Sequence, residues 1–516
     1  MTECCGMIVS KMMLSCIARR LRTPYVVHGA RALHTDRFYI GGNWRTPEAS
    51  TTVELTNPAT GEPLTTTLAL GSLDDVNAAV SAACSASDAW RETSKQERLV
   101  YLERLATLYE ARLPEMAQAI SLEMGAPISL AKRAQAGAGL SHIRTFVKVL
   151  RDFEFEERLP LCAEHELLLY EPLGVCACIT PWNWPMNQVT LKVCAALAAG
   201  NVVVLKPSEI APLSSLLFAE LIDAAGFPAG TFNLVNGEGA TVGEALARHQ
   251  DVDMVSFTGS TRGGVAVSKA AADGVKRVSL ELGGKGANLI FADVGRDNLR
   301  KVVSRGVSAV MMNSGQSCNA PTRMIVEQRV YDEAVEIAAE RCAGLAVGSP
   351  DDEGAHLGPV ASEAQFAKVQ RLIATGIDEG ASLVCGGSGR PKGIERGWFC
   401  RPTVFADVLP SMTIAREEIF GPVLSILCFR SEDEAVSIAN DTAYGLTSYV
   451  QSGSAERVRR VVKKLKSGMV EVNGARRSPA SPFGGVKASG NGREGGFLGL
   501  REFLEVKAVS GWPAHQ

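Results

Sequence analysis

The sequence lacks the features that would mark a membrane protein or a nucleic-acid-binding protein. No apolar run reaches the roughly 20 residues that a membrane-spanning helix needs, and the longest, residues 193–205, is interrupted by Gly200 and Asn201. Neither sign of charge is in excess, because 53 basic residues stand against 56 acidic ones and the formal net charge is -3. This balance gives no electrostatic reason to expect a nucleic acid. We therefore expect neither a membrane nor a nucleic acid among the partners.

Histidine is scarce, and cysteine shows none of the spacings that hold a metal ion. None of the seven histidines lies in a motif-like setting, which argues against a cysteine hydrolase that pairs its thiol with an imidazole. The thirteen cysteines form no cluster with metal-ligand spacing, so we predict no metal site. Their odd number in a long chain favours reduced thiols over a disulfide framework.

Residues 1–36 differ in composition from the rest of the 516-residue chain. The segment has one acidic residue before Asp36, which is Glu3, and its basic residues are Lys11, Arg19, Arg20, Arg22 and Arg31. Apolar residues alternate with the basic ones in a pattern typical of a mitochondrial transit peptide. We interpret the segment as a signal for the mitochondrial matrix. The alternative is a cytoplasmic protein with a disordered extension or a start codon placed too far upstream.

Local signals place helices and strands along the remaining chain. Capping boxes at residues 72–75 and 94–97 each predict the start of a helix. From residue 174 a strand is followed by a helix four times, with strands at 175–179, 202–205, 232–235 and 254–257 and helices at 186–199, 213–225, 241–248 and 263–272. This alternation predicts an α/β fold with a parallel, doubly wound sheet, whose ligands bind at the carboxyl ends of the strands. A second α/β region follows, to about residue 472.

Cys318 is the strongest candidate for a reactive group. The stretch 313–321 surrounds this thiol with serine, glutamine and asparagine, directly after a helical pattern at residues 297–312. A structural cysteine normally lies among apolar neighbours, and we expect that of the other twelve. The polar setting favours a nucleophile, although core filling is the commoner role of a cysteine considered alone.

Two stretches at predicted strand ends indicate a dinucleotide site. The usual G-x-G-x-x-G fingerprint of such a site is missing, because residues 237–243 have one residue too many between their glycines to match it. In residues 257–261 a strand runs into Gly259 and then into hydroxyl residues that open a helix, where free amides and the helix dipole favour a pyrophosphate. An ordinary N-cap is the alternative. Lys206 and Glu209 follow the second strand and would both reach a ribose, and Glu209 would repel a 2′-phosphate, which favours NAD over NADP. Solvated surface charges are the alternative for this pair.

Two further polar side chains suit acyl chemistry. The motif 181–185, with two prolines and two tryptophans, holds Asn183 in a stiff loop, and a fixed amide that stabilises an oxyanion is worth roughly 10²–10³ in rate. An asparagine that satisfies loop backbone is the alternative. Glu281 ends an apolar strand between two leucines, a setting that would raise its pKa and suit a general base. A structural ion pair is the alternative for this carboxylate.

Together these motifs make the chain resemble the aldehyde dehydrogenase superfamily over about residues 37–510. The matching motifs occur in the family's order at residues 181–185, 206–209, 257–261, 281–285, 313–318, 417–422 and 482–485. The resemblance implies an aldehyde dehydrogenase-like α/β fold with a Rossmann-type cofactor domain, an α/β catalytic domain and a small β oligomerisation element. The ranges implied are 37–151 and 173–283 for the NAD-binding domain, 284–499 for the catalytic domain, and 152–172 and 500–512 for oligomerisation strands. A homodimer or homotetramer is the expected assembly.

The resemblance also implies catalytic roles. Cys318 is the expected nucleophile, and Asn183 and the Cys318 amide are the expected oxyanion donors. Glu281 is the expected base that activates water. Lys192 and Glu494 match a family pair linked to proton release.

A set of cofactor residues follows from the same resemblance. Lys206 and Glu209 would hold the adenosine ribose, and Ser260 the pyrophosphate. Glu418 would hold the nicotinamide ribose, with Phe420 beside the nicotinamide. The further residues expected at NAD are Thr180, Trp182, Ser208, Gly239, Gly243, Phe257, Gly259 and Leu282.

The implied reaction is the oxidation of an aldehyde to a carboxylic acid with reduction of NAD. Cys318 would form a thiohemiacetal, hydride would leave for NAD, and water would hydrolyse the resulting thioester. A thiol of ordinary pKa is mostly protonated at neutral pH, so the site must help to deprotonate it. A CoA-acylating semialdehyde dehydrogenase is one alternative, but relatives of that kind lack the glutamate of the Glu281 motif. A non-enzymatic protein on this fold would be expected to lose Cys318 or Glu281.

The sequence says least about the substrate. Arg476 and Arg477 lie in the stretch 473–479, which aligns with the loop that shapes the family's substrate mouth. Two arginines there would anchor the distal carboxylate of a semialdehyde acid. The alternative is that both face solvent, and aromatic and aliphatic aldehydes stay open.

Overall fold

The computed structural model describes residues 33–48, 51–158 and 166–512. The targeting prediction for residues 1–36 therefore falls almost entirely outside the described residues. Leu33 and Thr35 are buried, and the Thr35 carbonyl accepts a hydrogen bond from the Ala69 amide, so packing begins slightly before residue 37. Within the described ranges, no helix combines the length and the apolar character that crossing a membrane requires.

An eight-stranded sheet forms the first α/β unit. In order across the sheet, its strands are Gly490–Asn491, Arg277–Glu281, Met254–Thr258, Val175–Ile179, Val202–Lys206, Phe232–Leu234, Phe38–Ile40 and Asn43–Arg45. The strands from Arg277–Glu281 to Phe232–Leu234 are mutually parallel, whereas both edges of the sheet are antiparallel. The parallel, doubly wound sheet predicted from the strand–helix alternation is confirmed.

A seven-stranded sheet forms the second α/β unit. Its strands, in order, are Ser382–Cys385, Thr403–Ala406, Val423–Phe429, Arg323–Glu327, Ala287–Ile290, Thr447–Gln451 and Met469–Val472. Neighbouring strands are parallel except at the edge formed by Ser382–Cys385. The strand Gly490–Asn491 lies inside the range 284–499 but pairs with the larger sheet. The chain therefore returns to the first unit before residue 499.

Two smaller sheets complete the described β structure. Glu166–Pro172 pairs along its whole length with Leu504–Ser510 and, on its other side, with Glu156–Glu157. These strands come from the segments predicted to serve in oligomerisation. Thr52–Thr56 and Pro63–Ala69 form a separate antiparallel pair.

The helix starts follow local sequence signals. Ser72 and Ser94 each form a capping box, with Asp75 and Glu97 as the reciprocal acidic residues. The helices of the described ranges are Leu73–Arg91, Lys95–Ala111, Leu113–Met124, Ile128–Leu130, Gly137–Asp152, Pro185–Ala199, Leu213–Ala225, Glu244–Arg248, Thr261–Ala272, Arg296–Met311, Tyr331–Ala343, Glu363–Asp378, Thr413–Arg416, Glu432–Asn440, Ala455–Lys464 and Gly496–Arg501, with a π-helical turn at Ala131–Ala136 and another at Gly239–Gly243.

The parallel strands of the larger sheet position the candidate site. Val175–Ile179, Val202–Lys206, Met254–Thr258 and Arg277–Glu281 end at the same edge of the sheet, and each runs into one of the motifs singled out above. A parallel sheet binds ligands at this edge because the strand ends and the loops that follow them meet there. The fold therefore gathers motifs that are far apart in the sequence.

Candidate active site

Cys318 follows a sharply turned segment at the end of a long helix. Asn313 (φ 54°), Ser314 (φ 54°) and Gly315 (φ 76°) are left-handed in succession. This conformation costs about 1–2 kcal/mol for a non-glycine residue, and it persists only where the surroundings fix it. A Cβ at position 315 would lie 2.0 Å from the carbonyl oxygen of Gly421, so only glycine fits there.

Hydrogen bonds from neighbouring segments hold the residues before the thiol. The Ala361 amide donates to Gln316 Oε1 at 2.8 Å. Trp184 Nε1 donates to Ser317 Oγ at 2.8 Å. The backbone on the amino side of Cys318 is therefore fixed from two directions.

Cys318 lines two cavities, one on each side. The first, which we call the Arg477 cavity, has a volume of about 450 Å³ and is also lined by Trp184 and Phe483. The second, the Glu418 cavity, has a volume of about 270 Å³ and is also lined by Asn183, Glu281 and Phe420. Molecules bound in the two cavities would meet at the same sulfur. Such an arrangement suits a transfer between two ligands, because both are held in place before they react.

A third cavity adjoins the Glu418 cavity along Trp182, Thr258 and Ser260. We call it the Lys206 cavity, and its volume is about 750 Å³. The residues predicted at NAD that line it are Thr180, Trp182, Lys206, Ser208, Glu209, Gly239, Gly243, Phe257, Gly259 and Ser260. The others, Leu282, Glu418 and Phe420, line the Glu418 cavity. The fold thus brings the whole predicted cofactor set together around two adjoining cavities.

Lys206 is not a solvated surface charge. It is buried, and its Nζ donates to the Pro207 carbonyl at 2.6 Å and to Glu209 Oε2 at 3.4 Å. Burial lowers the pKa of Lys206. Glu209 is partly exposed at the wall of the same cavity. A cationic donor beside an anionic acceptor fits the hydroxyl groups of a ribose.

Ser260 is the N-cap of the helix Thr261–Ala272, where its Oγ accepts from the Gly263 amide at 3.1 Å. Ser260 is therefore an ordinary N-cap, which was the alternative to a pyrophosphate site. The first turn of the same helix nevertheless lines the Lys206 cavity. A helix start stabilises anions such as a pyrophosphate. A Cβ on Gly259 would approach Phe257 Cζ to 2.5 Å, so glycine keeps this wall close-packed. The donors and the open space both fit a dinucleotide.

Glu418 and Phe420 have constrained positions in the Glu418 cavity. Glu418 Oε1 accepts from the Gly284 amide at 2.7 Å, and burial raises the pKa of this carboxyl group. Phe420 is left-handed (φ 59°). Its ring meets Trp182 edge-on, with 5.5 Å between the ring centroids. The cavity wall beside Cys318 is therefore rigid and aromatic.

The described residues around Cys318 disfavour its thiolate in the absence of a ligand. Burial, followed by the charges of Glu418 and Glu281, raises the pKa of Cys318 to about 12. The backbone N–H of Asn319 acts in the opposite direction, because it hydrogen-bonds the sulfur. Thiolate formation in the complex with cofactor therefore stays a prediction. A positive charge in the Glu418 cavity would offset the two carboxylates.

Glu281 is buried and has no structural partner in the described part of the chain. Neither of its carboxylate oxygens has a hydrogen bond to a described residue, so the structural ion pair considered as the alternative is absent there. Burial, and next the negative charge of Glu494, raise the pKa of Glu281 well above its ordinary value. A carboxylate in this state binds a proton tightly, as a general base must.

Asn183 lies beside the residues that precede the thiol. Its Nδ2 donates to the Gln316 carbonyl at 3.1 Å, and its side chain is buried. The side chain therefore satisfies loop backbone, as the alternative held, while it also lines the Glu418 cavity with Cys318.

Lys192 and Glu494 form a buried ion pair behind this site. Lys192 Nζ lies 2.5 Å from Glu494 Oε1 and 3.1 Å from Ser256 Oγ. Glu494 is a charged neighbour of Glu281. Lys192 lines neither cavity at Cys318, so the structure places it next to the candidate base and away from the sulfur.

The charged residues of the Arg477 cavity are cationic. Arg133 and Arg477 line it together with His142, and no carboxylate occurs among its described lining residues. The Arg477 guanidinium lies over the Phe483 ring, 4.6 Å from the centroid. Arg476 is exposed and lines a different cavity. The two arginines were expected either both to face the substrate or both to face solvent. In the structure, Arg477 lines the cavity beside Cys318 and Arg476 does not.

Comparison with known proteins agrees with this geometry. A family model described as the aldehyde dehydrogenase family matches residues 44–509. The chain belongs to the aldehyde dehydrogenase family. A relative named 3-succinoylsemialdehyde-pyridine dehydrogenase, from Pseudomonas sp., is 52% identical over 476 residues, which cover 92% of this chain and 98% of the relative.

Solved aldehyde dehydrogenase structures have the same fold. An aldehyde dehydrogenase from Bartonella henselae is 53% identical, with a TM-score of 0.90 and coverage of 92% of this chain and 99% of that one. A mutant of aldehyde dehydrogenase C from Pseudomonas syringae, in complex with NAD+ and octanal, is 48% identical, with a TM-score of 0.90 and coverage of 94% and 98%. This aldehyde dehydrogenase is therefore an α/β oxidoreductase that acts on aldehydes, with NAD as its cofactor.

Some residues at the site were missed by sequence reasoning. Arg133 and Gln135 come from the helical run before residue 152, which carries no motif. Lys368 and Gln365 line the Glu418 cavity from the helix Glu363–Asp378. The sequence pattern of this second α/β region does not show which face of the helix meets a cavity.

Proposed function

We propose that this aldehyde dehydrogenase converts an aldehyde into a carboxylic acid through a covalent thioester at Cys318. The observation that carries the proposal is the position of Cys318 between the Arg477 cavity and the Glu418 cavity. The aldehyde enters the first, and the nicotinamide end of NAD enters the second. Of the free cysteines in the described ranges, only Cys318 lines either cavity.

In the first half of the reaction, Cys318 loses its thiol proton to solvent, the sulfur adds to the aldehyde carbon, and the carbonyl oxygen becomes an oxyanion. Asn183 Nδ2 turns from the Gln316 carbonyl to donate to this oxygen, and the Cys318 amide is the second donor. The Asn319 amide hydrogen-bonds the sulfur and so favours its anionic form, against the opposing effects of burial and the nearby carboxylates. When bound, NAD supplies a hydride acceptor and a positively charged ring beside the sulfur.

In the second half, the chain hydrolyses the thioester left on Cys318. Glu281 takes a proton from a water molecule as that water attacks the thioester carbon, and the carbon–sulfur bond then breaks. Both oxygens of Glu281 lack a partner in the described part of the chain, so they are available to water. The ion pair of Glu494 with Lys192 lies behind Glu281 and carries the proton away.

The CoA-acylating alternative differs only in the second half, where CoA takes the acyl group in place of water. The presence of Glu281, which is buried and has no hydrogen-bond partner in the described ranges, favours water. Formation of NADH and of the free acid without CoA is the expected result. An absolute requirement for CoA would favour the alternative, and no NADH with any aldehyde would favour a non-enzymatic protein.

We further propose that the substrate carries an anionic group at its far end, as a semialdehyde acid does. The two arginines that line the Arg477 cavity favour an anion, because no carboxylate occurs among its described lining residues, although Glu471 lies near Arg477 outside the cavity. Arg477 Nε is buried and has no hydrogen-bond partner within the described ranges. A neutral aldehyde is the second candidate, because similar proteins are named for a pyridine-bearing semialdehyde and solved with octanal.

The substitution Arg477→Met tests this substrate class. A hydrogen bond to a charged group is worth about 1.5–3 kcal/mol, so we expect kcat/KM to fall roughly 10- to 100-fold for a carboxylate-bearing aldehyde. A neutral aldehyde of equal length should change little. Arg476→Met is the matched control on the same loop and should leave both substrates unaffected. Equal kcat/KM for charged and neutral aldehydes in the unmodified enzyme would discard the anchoring role.

We propose assembly into a homodimer or homotetramer through the three-stranded sheet. Its edge strand Leu504–Ser510 is largely exposed in a single chain, and Val506 is 47% exposed. An exposed strand edge is a ready site for pairing with another copy. Sedimentation should give two or four times the chain mass of 54.8 kDa. A particle of one chain mass at micromolar concentration would exclude this assembly.

The mitochondrial destination is proposed from the composition of residues 1–36 alone. The relatives compared above are bacterial and give this destination no support. Fusion of residues 1–36 to a fluorescent protein tests it directly. Accumulation of the fusion in mitochondria supports a targeting role, and an even distribution through the cytoplasm supports the alternative.

A further inference from the structure

A π-helical turn lies beside the active site. The turn Ala131–Ala136 interrupts a helical run that continues as Gly137–Asp152. Such turns are rare and frequently occur at functional sites. Arg133 on this turn lines the Arg477 cavity. Gln135, two residues later, is fully buried and points toward the loops that carry the catalytic groups.

Gln135 joins the loop of Asn183 to the turn before Cys318. Its Nε2 donates to Asn313 Oδ1 at 3.0 Å and to the Asn183 carbonyl at 3.3 Å, and it also contacts Met124 Sδ at 3.3 Å. Asn313 Nδ2 donates to the same Asn183 carbonyl at 2.9 Å. The side chain of one residue therefore ties together the backbone of the oxyanion donor and the side chain of a left-handed residue.

The strained turn needs such a partner. Asn313 and the residue after it are both left-handed although neither is glycine, and that conformation persists only where the surroundings over-determine it. Gln135 fixes the Asn313 side chain, and Asn313 Nδ2 also donates to the Gln316 carbonyl at 3.2 Å. That carbonyl accepts from Asn183 Nδ2 as well. A shift at Gln135 would therefore reach both the amide and the segment that ends at the thiol.

We propose that Gln135 is a positioning residue for aldehyde oxidation, which holds the Asn183 loop against the turn before Cys318 so that the Asn183 amide can act as an oxyanion donor. The inference rests on the proposed role of Asn183. Gln135 lines none of the three cavities, and it acts only through the two loops that it joins.

The substitution Gln135→Met keeps the length of the side chain and removes its donor. An interaction made only in the transition state lowers kcat without raising KM. We therefore expect kcat and the rate of the first NADH turnover to fall roughly 10- to 100-fold, somewhat less than loss of an oxyanion donor itself. The KM values for aldehyde and for NAD should stay within about 2-fold. Wild-type kcat in this variant would overturn the inference.

A second background separates positioning from stability. In Asn183→Ala there is no amide left to position, so Gln135→Met should cost less than about 2-fold there. An equal loss in both backgrounds would show that Gln135 supports only the fold and would overturn the inference. Wild-type activity in the Asn183→Ala variant would refute the oxyanion role and, with it, the inference. If Asn183→Ala is defective and Gln135→Met lowers kcat by the same factor in that background as in the wild type, only the inference is refuted.

Two further variants guard against a folding defect. Gln451→Met is the matched control, because Gln451 is also a buried glutamine with a side-chain partner, Asn288, at 3.1 Å. This variant should keep wild-type kcat.

Gln135→Glu preserves the shape of the side chain, but the new carboxyl group can donate a hydrogen bond only when it is protonated. The ratio of its kcat to the wild-type kcat should therefore rise as the pH is lowered from about 8.5 to about 6. A reduced but constant ratio would count against positioning.

Discussion

Replacing Cys318 with alanine should reduce aldehyde oxidation by roughly 10⁴-fold or more, because loss of a covalent nucleophile removes the pathway itself. No other cysteine in the described ranges lines either cavity at the site, so no neighbouring thiol can substitute. Binding of NAD should persist in this variant, because the Lys206 cavity does not include Cys318. Steady-state NADH formation and fluorescence titration of NAD separate the two effects.

The unmodified enzyme provides the complementary result. With aldehyde and NAD, intact-mass measurement should detect an acyl adduct, and peptide mapping should assign it to Cys318. Cys84→Ala is the control, because Cys84 is exposed on the helix Leu73–Arg91, and this variant should acylate normally. An adduct on a different residue, or substantial oxidation by Cys318→Ala, would disprove the mechanism.

The reactivity of this thiol toward an alkylating agent should depend steeply on pH. A pKa of about 12 leaves roughly one thiol in 10⁵ ionised at pH 7. The alkylation rate of the free enzyme should then rise about tenfold per pH unit between pH 7 and pH 9.

The sequence was enough to predict the site residues that lie at the end of a single strand. Asn183, Lys206, Ser260 and Glu281 each lie at or just after the end of a parallel strand. Because those ends share one edge of the sheet, the sequence order of the strands is enough to predict that the residues meet. The capping boxes at Ser72 and Ser94 depend only on neighbouring residues, and they predicted the two helix starts correctly.

Residues whose position depends on distant segments were not predictable in this way. Gln135 and Asn313 are 178 residues apart, and a π-helical turn has no sequence signature that points to a partner. The left-handed Phe420 and the raised pKa of Cys318 depend equally on what packs around them. Gly490–Asn491 is too short for an alternating pattern, so its return to the larger sheet was not anticipated. Long-range packing decided each of these features.

Replacing Glu281 with glutamine should separate the two halves of the reaction. The first NADH, about one per active site, should form at nearly the wild-type rate, because the proposed sulfur addition and hydride loss use Cys318 and Asn183. Subsequent turnover should fall roughly 10²–10⁴-fold, the range expected on loss of a general base. Stopped-flow absorbance resolves the burst from the steady state. Glu327→Gln, the same change at a buried strand end of the other sheet, should leave both phases intact.

The pH dependence of the wild-type enzyme tests the same residue by a separate route. Because burial and Glu494 raise the pKa of Glu281, the carboxyl group is protonated, and inactive as a base, at pH values below that raised pKa. Steady-state turnover should therefore increase as the pH rises through it, whereas the residual turnover of Glu281→Gln should lack this dependence. A burst that disappears in Glu281→Gln would mean that the carboxylate also removes the proton of Cys318. The two carboxylate oxygens, which have no hydrogen-bond partner among the described residues, would then serve the thiol as well as water, and the assignment of Glu281 to hydrolysis alone would have to be abandoned.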